Sequence, residues 1–205
     1  ELAGFPHHSI DSYLPKLVRA GLRVAIYDQL EDPKMVKGIV KRGVTELVTP
    51  GVTFNDQVLN SKKNNFLLSV HKEKEKYGLA LVDISTGEFL VSEGNLEKLL
   101  HIAHTFDPSE IIYQRTKELP LQLKNKNSFK LEDWAFQYKY ATEKLTNHFK
   151  TNSLKGFGVE KMELGITAAG AIFAYLVEDT HHDLLTHITK IQKIPQEDYL
   201  MMDQF

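Results

Sequence analysis

The 205-residue chain contains no cysteine. That excludes disulfides and thiolate-ligated metal centres, and it suits a reducing, cytoplasmic setting. No apolar run approaches the ~20 residues that a membrane-spanning helix needs, so no membrane partner is expected. A signal peptide is also missing. The sequence opens on Glu1, Leu2 and Ala3 without an initiator methionine and reads as an excised piece of a longer protein. Neither sign of charge dominates: 25 Lys and Arg stand against 27 Asp and Glu, a net charge of −2. This argues against a broad nucleic-acid-coating surface and leaves room for a local basic strip. There is no GxxxxGK[ST] phosphate loop, and Gly156 with Gly158 lacks the third glycine and the preceding strand of a dinucleotide fingerprint. No cofactor is therefore expected to bind within these residues. Internal repeats and low-complexity tracts are absent too.

What is present is an ordinary hydrophobic fraction, 42%, in a length that suits one or two domains. The chain is organised around 77–93, YGLALVDISTGEFLVSE. Its first half is a β-rich run, Ser85, Thr86 and Gly87 signal a turn, and 88–92 reads as the return strand. An earlier run, FLLSVH at 66–71, adds a third strand. Such a meander needs helices laid across it. The spacing supplies them at 95–106, at 139–150 and at 162–185, the last rich in Gly and Ala. A short buried strand is expected at 110–113 and a final strand or connector at 188–194. The stretch 117–127 is amphipathic at best. The predicted fold class is α/β: a three-strand antiparallel meander, extended by further strands and flanked by helices.

Ahead of this unit lies a smaller α/β block. A helix capped by Ser9 or Asp11 ends at Gly21, strands follow at 23–27 and 44–48, and one or two helical turns fit between them at 31–38. This block has too little apolar material for a whole domain. The expected division is 1–50 for the partial block, 51–63 for a polar linker, 64–187 for the central unit, and 188–205 for the start of a further one.

Candidate chemistry is sparse. Asp83, Glu88, Glu110 and Asp133 sit at strand ends or in adjoining segments. A meander followed by helix and strand resembles the ribonuclease H-like order, in which carboxylates hold two Mg²⁺ ions for phosphodiester cleavage. The competing reading has Asp83 and Glu88 flanking a turn, with the aspartate capping backbone amides. Nothing marks a set that must converge, so no catalytic residue is assigned. His7 with His8, His101 with His104, and His181 with His182 lack further ligands, so no metal site is assigned either. Lys34, Lys37, Lys41 and Arg42 form a basic strip suited to DNA phosphate, interrupted by Glu31, Asp32 and Glu46. Lys124, Lys126 and Lys130 make a looser second one in an expected loop. A Mg²⁺-dependent nuclease and a weak nucleic-acid-binding module both stay open at this point.

An ordered series of motifs goes further: AGFPHHS at 3–9, LVRAG at 17–21, RVAI at 23–26, QLEDP at 29–33, VTPG at 48–51, VDISTGEF at 82–89, GFG at 156–158, AAG at 168–170, YL at 175–176 and YLMMD at 199–203. The series resembles the bacterial MutS family of DNA mismatch repair proteins along essentially the whole chain. The resemblance implies that 1–50 is the second half of a mismatch-recognition domain. It implies that 64–187 is a connector of ribonuclease H-like fold without nuclease activity, and that 188–205 opens the core domain. The parent would bind mismatched duplex DNA, hydrolyse ATP with Mg²⁺ in a domain outside these residues, act as a homodimer and recruit MutL. This piece would transmit change between domains, catalyse nothing, and offer MutL a surface; Glu143, Lys144 and His148, expected to be exposed on the helix 139–150, are the candidates. Tyr27 and Asp28 stand where relatives commonly carry Cys-Glu, and Gly43 and Val52 also depart from the usual pattern. The Phe-x-Glu wedge of the family lies upstream of these residues.

Overall fold

In chain order, the first block is α1 (Ile10–Arg19), β1 (Val24–Gln29) and β2 (Arg42–Val48). The computed structural model describes residues 7–32, 34–35, 38–52, 64–124, 126–180 and 185–194. Leu14 and Val18, four apart on α1, turn one face inward. The helix ends where the Gly21 N–H meets the Val18 carbonyl and the Leu22 N–H meets that of Leu17. This closure needs a positive φ, and Gly21 supplies it at 85°. β1 and β2 pair antiparallel from Val24 opposite Val48 to Gln29 opposite Arg42. The helix expected over 31–38 does not form among the described residues. The Asp32 carboxylate takes the Lys34 N–H at 2.9 Å, a local turn that competes with helical pairing.

The central unit is a six-stranded mixed sheet with helices on both faces. Its elements are β3 (Leu67–Glu73), β4 (Lys76–Asp83), β5 (Glu88–Gly94), α2 (Leu96–Phe106), β6 (Glu110–Gln114), β7 (Ser128–Leu131), α3 (Tyr138–His148), α4 (Glu163–Ala174) and β8 (Gln192–Lys193). The strand order is β7-β6-β3-β4-β5-β8. β3, β4 and β5 form the expected antiparallel meander. β6 adds parallel to β3, β7 parallel to β6, and β8 parallel to β5.

Alternation along the strands divides the core into two layers. Leu67, Ala80, Val82, Phe89, Val91 and Ile112 pack in the cluster that holds α3 and α4. Leu68, Val70, Leu79, Leu81, Leu90 and Ile111 pack in the cluster that holds α2. α4 is apolar all round because it lies between the sheet and α3. Gly78 on β4 lets it come close: a Cβ there would fall 2.0 Å from the Leu164 carbonyl oxygen. No helix among the described residues is long and apolar enough to cross a membrane.

Several expectations change. Among the described residues the 117–127 stretch contributes a 3-10 turn at Leu121–Leu123, and of the lysines expected in a loop Lys130 lies instead on strand β7. The 162–185 helix is α4 up to Ala174, followed by a π-helical turn over Tyr175–Asp179. There the Thr180 hydroxyl donates to the Leu176 carbonyl and the run stops. Residues 188–194 bury Ile188, Ile191 and Ile194 in the central cores. At the other boundary, Gly51 and Val52 of the expected linker are buried, and Val52 joins the central core. Residues 53–63 and 195–205 lie outside the described residues.

Candidate functional site at the junction of the two blocks

Glu110 opens β6 and is 2% exposed. A buried carboxylate is costly unless donors surround it. Here they come from two directions. One oxygen, Oε2, accepts from the Thr49 hydroxyl at 2.5 Å and from the Gly51 N–H at 3.0 Å. The other, Oε1, accepts from the Tyr175 hydroxyl at 2.6 Å. Thr49 and Tyr175 are themselves fully buried.

Local sequence explains the geometry. Thr49 and Val52 exchange reciprocal backbone hydrogen bonds of 3.1 Å, closing a tight turn through Pro50 and Gly51. A Cβ on Gly51 would fall 2.8 Å from the Glu110 Cβ, so glycine lets the turn approach the strand. Asn65 clips the turn from outside, donating to the Pro50 carbonyl at 3.0 Å and accepting from Ser109 at 2.6 Å. Tyr175 stands where α4 passes into its π turn, the extra residue of which re-aims the side chains that follow. Burial pushes the Tyr175 hydroxyl pKa far up, the Glu110 charge and hydrogen bond push it further, and Arg23 opposes weakly. The phenol therefore stays a donor.

Arg23, just ahead of β1, lays its guanidinium 3.5 Å from the Phe129 ring centroid and 5.5 Å from that of Tyr175. Such contacts are worth about 0.5–2 kcal/mol. Leu47 on β2 donates to the Thr180 carbonyl at 3.4 Å. The first block is thus pinned to the central unit at Arg23, at Leu47 and at the 49–51 turn.

The other carboxylates do not join this cluster. Asp83 is fully buried and takes the Asn65 N–H at 2.9 Å, the Ser85 N–H at 2.9 Å and the Ser85 hydroxyl at 2.6 Å. Glu88 accepts from Asn64 at 2.7 Å, and Asp133 from the Thr116 hydroxyl at 3.0 Å. Each acid is held in its own set of donors, and among the described residues no three potential ligands gather around a metal position.

The basic strip lies on the β1–β2 connection. Lys34, Lys41 and Arg42 are exposed, and Lys37 lies outside the described residues. Lys41 is 3.7 Å from Glu31, which also accepts the Lys41 N–H at 3.1 Å. In the second basic stretch Lys126 pairs with Asp107, while Lys130 lies 5.8 Å from the Tyr113 ring centroid. On α3, Glu143 is exposed and Lys144 sits 3.5 Å from Glu178. His148 is not on the open surface expected for it. Its Nε2 is 2.7 Å from the Ile188 carbonyl, and its ring centroid is 4.6 Å from that of Phe173. The reason is helical spacing: Ala141, Leu145 and His148 fall at i, i+4 and i+7, the buried stripe. Sequence reasoning passed over the Glu110 cluster, although a lone acid opening the buried run EIIY was a signal for it.

The chain matches the family described as MutS domain II over residues 65–189 and that described as MutS domain I over residues 1–57. It belongs to the MutS family. It is 58% identical over 207 residues to the DNA mismatch repair protein MutS of Flavobacterium psychrophilum, 56% over 208 to that of Christiangramia forsetii and 54% over 207 to that of Cytophaga hutchinsonii. Each comparison covers 100% of this chain and 24% of the relative, so the chain spans about a quarter of the MutS relatives it matches. In MutS terms, Arg23, Leu47, Thr49 and Gly51 lie in the domain I match, and Glu110, Phe129, Tyr175 and Thr180 in the domain II match.

Proposed function

We propose that this chain is the non-catalytic connector portion of a DNA mismatch repair protein, carrying conformational change between the DNA-reading part of its parent and the rest. The observation that carries the reading is the Glu110 carboxylate, buried and shared between the two family matches. On this reading, 1–50 is the second half of the mismatch-recognition domain, 51–63 the linker, 64–187 the connector and 188–205 the entry to the core. The meander β3–β4–β5, followed by α2, by β6 parallel beside β3 and by β7 parallel beside β6, supports a ribonuclease H-like connector. Separately held acids favour a connector over a Mg²⁺-dependent nuclease.

The parent would engage mismatched duplex DNA, with Lys34, Lys37, Lys41 and Arg42 available to phosphate. It would work in the cytoplasm as a homodimer with MutL as partner. Glu143, exposed, and Lys144, half-buried beside Glu178, would form the accessible part of the MutL surface, and His148 supports it from behind. ATP and Mg²⁺ would bind elsewhere in the parent; with no phosphate loop here, no residue of this chain is assigned to them.

Hydrogen exchange on the full-length parent tests the relay. The N–H groups of Leu47, Gly51 and Thr180 should change protection when mismatched duplex binds, and change again when ATP is added. Identical protection at all three under both ligands removes the relay role.

A further inference from the structure

We infer that Glu110 and Tyr175 form a polar latch that sets the angle of the first block on the central sheet. They act as positioning residues through the 49–51 turn. The inference deepens the relay reading, and its test is separate from that one.

Three features carry it. Glu110 is fixed at its base, because its backbone sits opposite Leu67 in the β3–β6 pairing. Its two oxygens divide their work: one faces the incoming turn and the other faces α4 through Tyr175. A single side chain therefore ties sheet, helix and first block together. Among the described residues, apolar packing shares that task at Val52, which sits in the central core at the end of the same turn. The first block keeps a small cluster of its own around Leu14, Val18 and Val48, distinct from the central clusters. Apolar contact is non-directional and tolerates rotation, whereas a buried hydrogen-bonded carboxylate fixes both distance and direction.

The held part transmits that direction. The 49–51 turn is closed by its own pair of hydrogen bonds and runs without a break from β2, so it moves with the strand. Tyr175 serves the latch twice. Its hydroxyl fills one Glu110 oxygen, and its ring backs Phe129 at 5.8 Å between centroids, the same Phe129 that Arg23 covers. Loss of the tyrosine oxygen alone leaves the ring packing in place and removes one arm of the latch.

The test uses the 205-residue chain, whose lack of cysteine makes labelling selective. Nitroxides are placed on D28C in β1 and K139C in α3, both exposed positions, and the distance between them is read by double electron–electron resonance alongside thermal melting. The parent chain should give one narrow distribution. Y175F and E110A should broaden or shift it. E110Q keeps an oxygen for Thr49 and Gly51 and can donate to the Tyr175 oxygen, so it should restore most of the narrow peak. Distributions for Y175F and E110A that superimpose on the parent chain's overturn the latch, even where melting temperature falls. A broad distribution in the parent chain overturns it as well. If E110A does not fold, Y175F decides alone. A failed latch leaves the exchange test above standing, since that test asks whether ligands move the junction and not which side chain holds it.

Discussion

Gly170 on α4 rests against Ala141 on α3 so closely that a Cβ added at position 170 would fall 2.2 Å from the Ala141 Cβ and 2.4 Å from its Cα. The two helices meet backbone to backbone at this point, and neither neighbour is a flexible side chain that can swing away. G170A should therefore cost about 1–3 kcal/mol through overpacking, partly offset by the helix-favouring change from glycine to alanine. Denaturant melts of G170A, A141G and the double variant check this: the double variant should recover part of the loss, giving a coupling of opposite sign to the G170A cost. Full additivity would mean that the two positions do not touch.

Asp83 holds the turn between β4 and β5. D83A removes the acceptor of the half-buried Asn65 amide and of the amide and hydroxyl of the exposed Ser85; water can reach Ser85, so the loss should be about 1 kcal/mol. The same saturation leaves little room for a cation. Thermal melts with and without Mg²⁺ or Mn²⁺ should coincide for the parent chain and for D83N. A metal-dependent rise in Tm that D83N abolishes, or cleavage of a labelled duplex that D83N abolishes, restores the two-metal reading.

Much of this was legible in the sequence because local and global signals agree there. Alternating apolar residues and the Gly87 turn placed the meander, and Asn95 did cap α2, accepting the Lys98 N–H at 3.0 Å. The failures have a common physical cause: tertiary contacts outvote local pattern. β7 is four residues long at the sheet edge, so although SFKL alternates, with Ser128 and Lys130 exposed, the pattern is too short to stand out from its polar surroundings. The run from Leu164 to Val177 is apolar or small apart from Thr167, and nothing in it announces the change to π geometry at Tyr175. Glu110 was visible only as an acid among apolar neighbours. Its partners lie 61, 59 and 65 residues away, beyond the reach of any local rule.

The strip on the β1–β2 connection has a salt signature. If Lys34, Lys41 and Arg42 meet phosphate, replacing all three by glutamine should weaken duplex binding and flatten the dependence of log K on log salt by roughly 0.9 for each phosphate no longer neutralised. Lys41, already beside Glu31, should contribute least of the three. Filter binding or anisotropy of the full-length parent across a salt series measures this. An unchanged slope with unchanged affinity removes the strip from the DNA interface.

The last prediction concerns acid stability. His71 on β3 stacks on Phe136 with centroids 5.7 Å apart. Burial holds its pKa below the ordinary 6.5; Glu73 pulls it back up, and Lys117 pushes it down again. The unfolded chain therefore takes up this proton first as the pH falls. Above 6.5 the ring is neutral in both states and adds no pH dependence. Below 6.5 stability is lost, by at most about 1.4 kcal/mol per pH unit for one proton, until the pH passes the folded-state value and the loss levels off. H71F keeps an aromatic ring against Phe136 and removes the titration. The stability difference between H71F and the parent chain, from urea melts at a series of pH values, should be constant above 6.5 and shift in favour of H71F below it. A difference that stays flat throughout would show that burial does not oppose the charge on His71.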